Sequence, residues 1–140
     1  MDNKIRYLNT DLDLATKDDL TELANAFATS GASVLSVARY DDGLWHATIE
    51  TDTQEVEPQA SMAMLIGIAE SLSEPLRNCW MRCTLREFNI GYDCGDEPWG
   101  FNQGLSNALL GRLAAAGASL RITIYPVRPE APPPAQQATA

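Results

Sequence analysis

A single histidine, His46, stands in a chain of 140 residues, and its isolation removes most nucleophile–base chemistry. A cysteine nucleophile needs a partner that lowers its pKa and takes its proton, and only His46 is available. The three cysteines, Cys79, Cys83 and Cys94, are odd in number and too widely spaced for a disulfide framework, so reduced thiols in a cytoplasm are expected. Basic residues are scarce as well: 10 Lys and Arg stand against 19 Asp and Glu, for a formal net charge of −9. Nucleic-acid binding is driven by cationic neutralisation of phosphates, so DNA and RNA are not expected partners. The longest apolar run, from Met62 to Ala69, is broken by Gly67 and is far too short to span a bilayer. The opening Met1-Asp2-Asn3-Lys4 leads into a polar strand, so no signal peptide is expected. Gly91, Gly95, Gly100 and Gly104 lie in one region but lack the G-x-G-x-x-G spacing and any following Lys-Ser/Thr. No cofactor, metal or membrane is expected, and enzymatic activity is not expected.

What is present is clearest between Leu85 and Tyr125. Phe88, Ile90 and Tyr92 alternate with Glu87, Asn89 and Gly91, the two-residue period of a strand with one buried face. Asp93-Cys94-Gly95-Asp96-Glu97-Pro98 then stops the strand. Leu105, Ala108, Leu109, Arg112, Leu113 and Ala116 follow helical spacing, and Gly117 occupies a C′ position. Leu120, Ile122 and Ile124 alternate again, which completes a βαβ unit.

Upstream, Ile5, Tyr7, Leu8, Leu12 and Leu14 mark a first strand whose alternation falters at Asn9-Thr10-Asp11. Thr16 and Asp19 suggest a capping box before a helical stripe of Leu20, Leu23, Ala24 and Phe27, which Gly31 ends. Val34 to Tyr40, the turn Asp41-Asp42-Gly43 and Leu44 to Thr51 read as a hairpin. Pro58 suits a helix first turn, with Met62, Leu65, Ile66, Ala69 and Leu72 as the buried stripe. The Met62–Ile68 run is apolar around the whole helix, which points to burial. Ser73-Glu74-Pro75 restarts the helix, and a short one carrying Trp80 follows.

Residues 22–40 match 108–126 at a constant offset, with Leu23/Leu109, Ala28/Ala114 and Gly31-Ala32-Ser33/Gly117-Ala118-Ser119 coinciding. Two related halves around a pseudo-twofold axis would produce this pattern, and so would any pair of helix-Gly-strand joints. The order of elements predicts an α+β two-layer sandwich of about five mostly antiparallel strands with helices on one face. Its first six elements spell the ferredoxin-like βαββαβ pattern, with an added αβ. The expected domain is 1–127, followed by a disordered Pro/Ala-rich tail at 128–140. The closing segment, carried by Leu113, Gly117, Ala118, Ser119, Ile122 and Tyr125, resembles that of small uncharacterised bacterial α+β domains with a ferredoxin-like arrangement. That resemblance covers the last third of the chain and implies a fold, not an activity.

The acidity is lopsided. Residues 1–60 hold twelve Asp and Glu against four Lys and Arg, and residues 61–140 hold seven against six. An acidic first half can steer a basic partner, or simply keep a small protein soluble. The residues predicted to meet such a partner are Asp41, Asp42, Glu50, Asp52, Glu55 and Glu57, with Trp45 or Trp99 as an aromatic anchor. Asp93, Asp96 and Glu97 join them in a loop that packs three carboxylates, a thiol and an aromatic into eight residues. Their rhythm does not fit a calcium loop, and the plain alternative is a turn whose acids sit near a helix N-terminus. Cys79-x3-Cys83 fits the pair spacing of a zinc site with Cys94 and His46, although Cys beside Trp80 and Met81 is ordinarily a small buried hydrophobe. The expected function is a non-enzymatic acidic protein-binding domain, such as an immunity or antitoxin-like inhibitor of a basic partner. The alternatives are a ligand-sensing or dimerising regulatory module and a small cysteine-dependent enzyme centred on Cys94. The protein itself is expected as a monomer or homodimer.

Overall fold

The structure is a computed structural model that describes residues 3–52 and 57–126. The described elements follow one another as β1 (Arg6–Thr16), α1 (Thr21–Thr29), β2 (Ala32–Arg39), β3 (Trp45–Thr51), α2 (Pro58–Glu70), α3 (Glu74–Arg82), β4 (Leu85–Asp93), α4 (Asn107–Ala115) and β5 (Ser119–Tyr125). Glu55 and the expected tail at 128–140 lie outside the described residues. The fold is α+β, built on one open mixed sheet of order β2-β3-β1-β4-β5. The β1–β3, β1–β4 and β2–β3 pairs are antiparallel, and β4–β5 is parallel, as the α4 crossover requires.

Parity along the strands decides what is buried. Leu12 and Leu14 on β1, Ala47 and Ile49 on β3, and Phe88 and Ile90 on β4 share the face that packs against the helices. There they meet Leu20, Leu23 and Phe27 of α1 and Met62, Leu65 and Ile66 of α2. Each such Leu, Ile, Phe or Met side chain contributes roughly 1.5–3 kcal/mol by leaving water. The all-round apolarity of α2 is accounted for by burial: Met62, Leu65, Ile66 and Ile68 are all in the core. Trp80 stacks on Phe27 with ring centroids 6.2 Å apart and donates its indole N–H to the Ala116 carbonyl at 2.9 Å, which ties α3 to α4.

One local expectation needs correction, and two local features gain a structural cause. The faltering alternation near Asn9 is a β-bulge between Tyr7 and Asn9, where β1 slips against β4 and then continues to Thr16. No Thr16–Asp19 capping box forms. Thr16 stays in β1, its hydroxyl donating to the Arg82 carbonyl at 3.5 Å, while the Asp19 carboxylate accepts the Thr21 N–H at 2.8 Å and α1 begins there. Leu120, Ile122 and Ile124 alternate as expected but are not buried, because β5 is an edge strand and α4 packs on α2.

The repeated helix-Gly-strand joints occupy the two opposite edges of the sheet, with Gly31 at φ +101° and Gly117 at φ +72°. β2 and β5 run in opposite senses, as a twofold axis would have it. Their inner neighbours β3 and β4 run in the same sense, so the pseudo-symmetry stops at the joints. Gly117 has a second constraint: a Cβ there would lie 2.7 Å from Arg86 Nη2. That guanidinium donates to the Gly117 carbonyl at 2.9 Å and to those of Trp80, Met81 and Cys83 at 3.1, 3.2 and 2.7 Å. One side chain therefore donates to four carbonyls at the C-terminal ends of α3 and α4, where intrahelical donors run out.

Candidate functional site

The face of the sheet opposite to the core is polar, and its centre is acidic. Asp11 and Asp13 of β1 have the parity opposite to Leu12 and Leu14. In register, Asp11 faces Asn89 of β4 and adjoins Glu50 of β3, while Asp13 faces Thr48 on one side and Glu87 on the other. Four carboxylates thus share two adjacent rows of three neighbouring strands. Adjacent strands lie about 4.8 Å apart and successive same-face residues about 6.6 Å apart. Each pair of unit charges at such a distance repels by about 2.5–3.5 kcal/mol at an effective dielectric of about 20.

Neutral donors only partly relieve that repulsion. The Asn9 amide donates to Asp11 Oδ1 at 3.2 Å and to Glu50 Oε2 at 3.5 Å, and the Thr48 hydroxyl donates to Asp13 Oδ1 at 3.1 Å. Arg121 of β5 pairs with Glu87 at 2.6 Å, and the Thr123 hydroxyl donates to Asn89 Oδ1 at 2.7 Å. Burial, with hydrogen bonding to Glu50 and the charges of Asp13 and Glu50, pushes the Asp11 carboxyl up to about 7. Burial also raises Asp13, against the Thr48 hydroxyl, which lowers it.

The residues nominated from sequence are dispersed. Glu50 belongs to this acidic centre. Asp41 and Asp42 are exposed at the β2–β3 turn, at the far end of the sheet from Asp52. Asp42 is occupied by the turn: it accepts the Leu44 N–H at 2.9 Å and holds His46 Nε2 at 2.8 Å, and the Leu44 N–H and His46 keep its carboxyl below the usual range. The His46 ring also stacks on Tyr40, with centroids 4.3 Å apart. Trp45 packs against the core, so it is not a free anchor. Asp52 and Glu57 are exposed.

Asp93–Trp99 runs beyond β4 and uses its backbone structurally. The Asn3 carbonyl accepts the Asp96 and Glu97 N–H groups at 2.9 and 3.3 Å, and the Glu97 carbonyl accepts the Ile5 N–H at 2.8 Å. Asp93 is half-buried, Asp96 and Glu97 are exposed, and Trp99 is fully exposed at 101%. These acids do not sit at a helix N-terminus, because α4 begins only at Asn107, with Ser106 capping it. Sequence reasoning missed Asp11, Asp13 and Glu87. The signal was present: in β1, Asn9, Asp11 and Asp13 occupy the alternate positions to Thr10, Leu12 and Leu14, which places the acids together on the uncored face.

Cys94 and His46 are not brought together. Cys94 follows the β4 residue paired with Arg6, whereas His46 pairs with Ala15, so the length of β1 separates them by roughly 30 Å. Cys79 and Cys83 are buried in the core, and desolvation pushes the Cys83 thiol up to about 12. Among the described residues no three His, Cys, Asp or Glu side chains are grouped so as to hold a metal, and no helix is long and apolar enough to cross a membrane. A second feature lies on the helix side of β4 and β5. It is an apolar groove of about 370 Å³ floored by Ile90, Tyr92, Ile122 and Ile124 and walled by Phe101 and Leu105, with Cys94 at its rim. Phe101 packs edge-on against Tyr92, with centroids 5.4 Å apart. Comparison with protein-family models, with curated proteins and with solved structures found no match.

Proposed function

We propose that this protein is a non-enzymatic binding domain that docks a basic protein through the acidic polar face of its sheet, in the manner of an immunity or antitoxin-like inhibitor. The observation that supports the reading is the grouping of Asp11, Asp13, Glu50 and Glu87 on β1, β3 and β4, with Arg121 paired to Glu87. Like charges on adjacent strands oppose folding, so the arrangement is not accounted for by stability. A cationic side chain placed over the cluster relieves the repulsion and favours ionised Asp11, so part of the binding energy comes from strain already present in the free protein. The same field repels phosphate backbones. Asp52, Glu57, Asp96 and Glu97 extend the negative surface as rim residues that steer encounter, and Trp99 is the exposed aromatic available as an anchor.

The same proposal takes the body as a two-layer ferredoxin-like sandwich with an added αβ. The antiparallel order β2-β3-β1-β4, extended by β5, supports that assignment. Three unpaired thiols support a reducing, cytoplasmic setting. A second reading, a ligand-sensing module, is favoured by the apolar groove, whose volume falls in the range of small-molecule sites.

The test is affinity capture by the full chain, followed by measurement of Kd for the partner recovered. The wild type is compared with a variant carrying Asp11→Asn, Asp13→Asn, Glu50→Gln and Glu87→Gln. The reading expects a basic protein held by the wild type and released by the variant. It also expects Kd to rise steeply as salt goes from about 10 mM to about 1 M, which shortens the Debye length from about 30 Å to about 3 Å. A partner that binds both proteins equally, or binding that salt leaves unchanged, refutes it.

A further inference from the structure

The two edges of the sheet are treated differently. β2 is broken by a bulge between Val34 and Ser36, a device that twists an edge away from further pairing. β5 pairs with β4 in unbroken register from Ser119 to Tyr125 and contains no Pro, Gly or Lys. Among the described residues it has a hydrogen-bonded neighbour on one side only. Its helix-side residues Leu120, Ile122 and Ile124 are 40%, 59% and 64% exposed, and Tyr125 on the other face is 42% exposed. α4 packs mainly on α2, and among the described residues no helix is stacked along this edge. A regular edge strand with an exposed apolar face is an invitation to strand pairing that soluble proteins ordinarily suppress.

We propose that β5 is a dimerisation edge whose occupant is β5 of a second copy of this chain, paired antiparallel about a twofold axis through Ile122. Ile122 is the middle residue of the strand, so this register is self-complementary, as an isologous interface must be. It sets Leu120 opposite Ile124 of the other copy and Ile122 opposite its equivalent, which gathers the apolar residues of both copies on one face. On the other face Arg121 meets Thr123 rather than a second Arg121, and its charge is already engaged by Glu87. Charge favours a second copy over a cationic partner at this edge, because β5 carries no acid and Glu87 on the adjoining strand is already paired with Arg121. The exposed parts of Leu120, Ile122, Ile124 and Tyr125 amount to at most on the order of 400 Å² per copy, and edge pairing covers the flanks of these side chains along the seam, so with the strand backbone added the interface is of the small, weak class below roughly 1,000 Å² in total.

Sedimentation velocity of the full chain across micromolar concentrations tests this, with hydrogen exchange at β5 read at each concentration. The wild type is expected to dimerise, and β5 amides are expected to gain protection as the dimer forms. Ile122→Lys and Ile124→Lys, at positions that are exposed in the free chain, each enter the dimer twice. Each is expected to weaken it about 100-fold or more while leaving the circular dichroism of the monomer unchanged. Leu35→Lys, on the opposite edge, is expected to leave it intact. A wild type that stays monomeric overturns the proposal, and so does a dimer split by Leu35→Lys but not by Ile122→Lys. Protection of β5 that is independent of concentration assigns the edge to another part of the same chain, or to a small apolar ligand in the adjoining groove, and overturns the second copy as occupant.

Discussion

Replacing Asp11 with Asn tests the physical basis of the acidic face directly. Asn keeps the shape of the carboxyl and can donate to Glu50 as the protonated acid does, but it carries no charge at any pH. The Asp11 carboxyl stands at about 7, against 3.8 for an ordinary aspartate, first because of burial and then because of Glu50 and Asp13. The folded value is raised, so the unfolded chain releases this proton near pH 4 while the folded chain keeps it until about pH 7. Stability contributed by this group is therefore full below about pH 4 and is lost as pH rises to about 7. A shift of that size corresponds to at most about 4 kcal/mol, and the half-open position of the side chain reduces the expected effect to about 1–2 kcal/mol. Urea unfolding of wild type and variant at about pH 5 and about pH 8 measures it. The variant should be the more stable of the two at the higher pH, by about 1–2 kcal/mol, and should lose most of the wild-type decline between the two conditions. Asp13 is raised as well and adds a decline of the same sign that the variant retains, whereas the groups held below their ordinary range, Asp19, Asp42 and Glu70, change stability at lower pH. If Asp11→Asn lowers stability at about pH 8, or leaves the slope as it was, the carboxylates are not under mutual strain and the argument from the polar face fails.

Arg86→Ala removes the donor to four carbonyls at the ends of α3 and α4, and should cost about 2–4 kcal/mol in chemical denaturation; a loss below about 0.5 kcal/mol would show that water replaces the guanidinium. Gly95→Ala places a methyl against the Asn3 carbonyl and the Lys4 backbone, so it should cost about 1–3 kcal/mol and raise hydrogen exchange at Ile5, Asp96 and Glu97. Thiol titration of the native protein should modify Cys94 promptly and reach Cys79 and Cys83 only on unfolding; prompt reaction of all three would mean that α3 is not docked on the core.

Much of the fold could be read along the chain because burial here follows local period. The β1, β3 and β4 residues that pack inward are the apolar members of two-residue alternations, and Leu23, Phe27, Leu65, Ile66, Leu109 and Leu113 sit at helical spacing. Positive-φ glycines at 31, 43 and 117 mark the ends and turns where the chain changes direction. The site was far less legible. Asp41, Asp42 and Trp45 stand out in the sequence because they are adjacent to a turn, yet Asp42 is bound to its own turn and Trp45 to the core. Asp11, Asp13 and Glu87 do not stand out, and Glu50 stands out only as part of an acidic hairpin; the four come from three strands separated by up to 76 positions in the chain and become neighbours only in register.

Alternation of side chains along a strand is a property of the backbone, so the sequence alone determined which residues share a face, where helices stop, and that the first half of the chain is the more acidic. Which strand lies beside which is decided by long-range pairing, and no local pattern encodes it. Tertiary structure alone therefore made β1 the centre of the sheet, gathered acids from β1, β3 and β4 across it, and left β5, among the described residues, at an edge with its apolar face exposed.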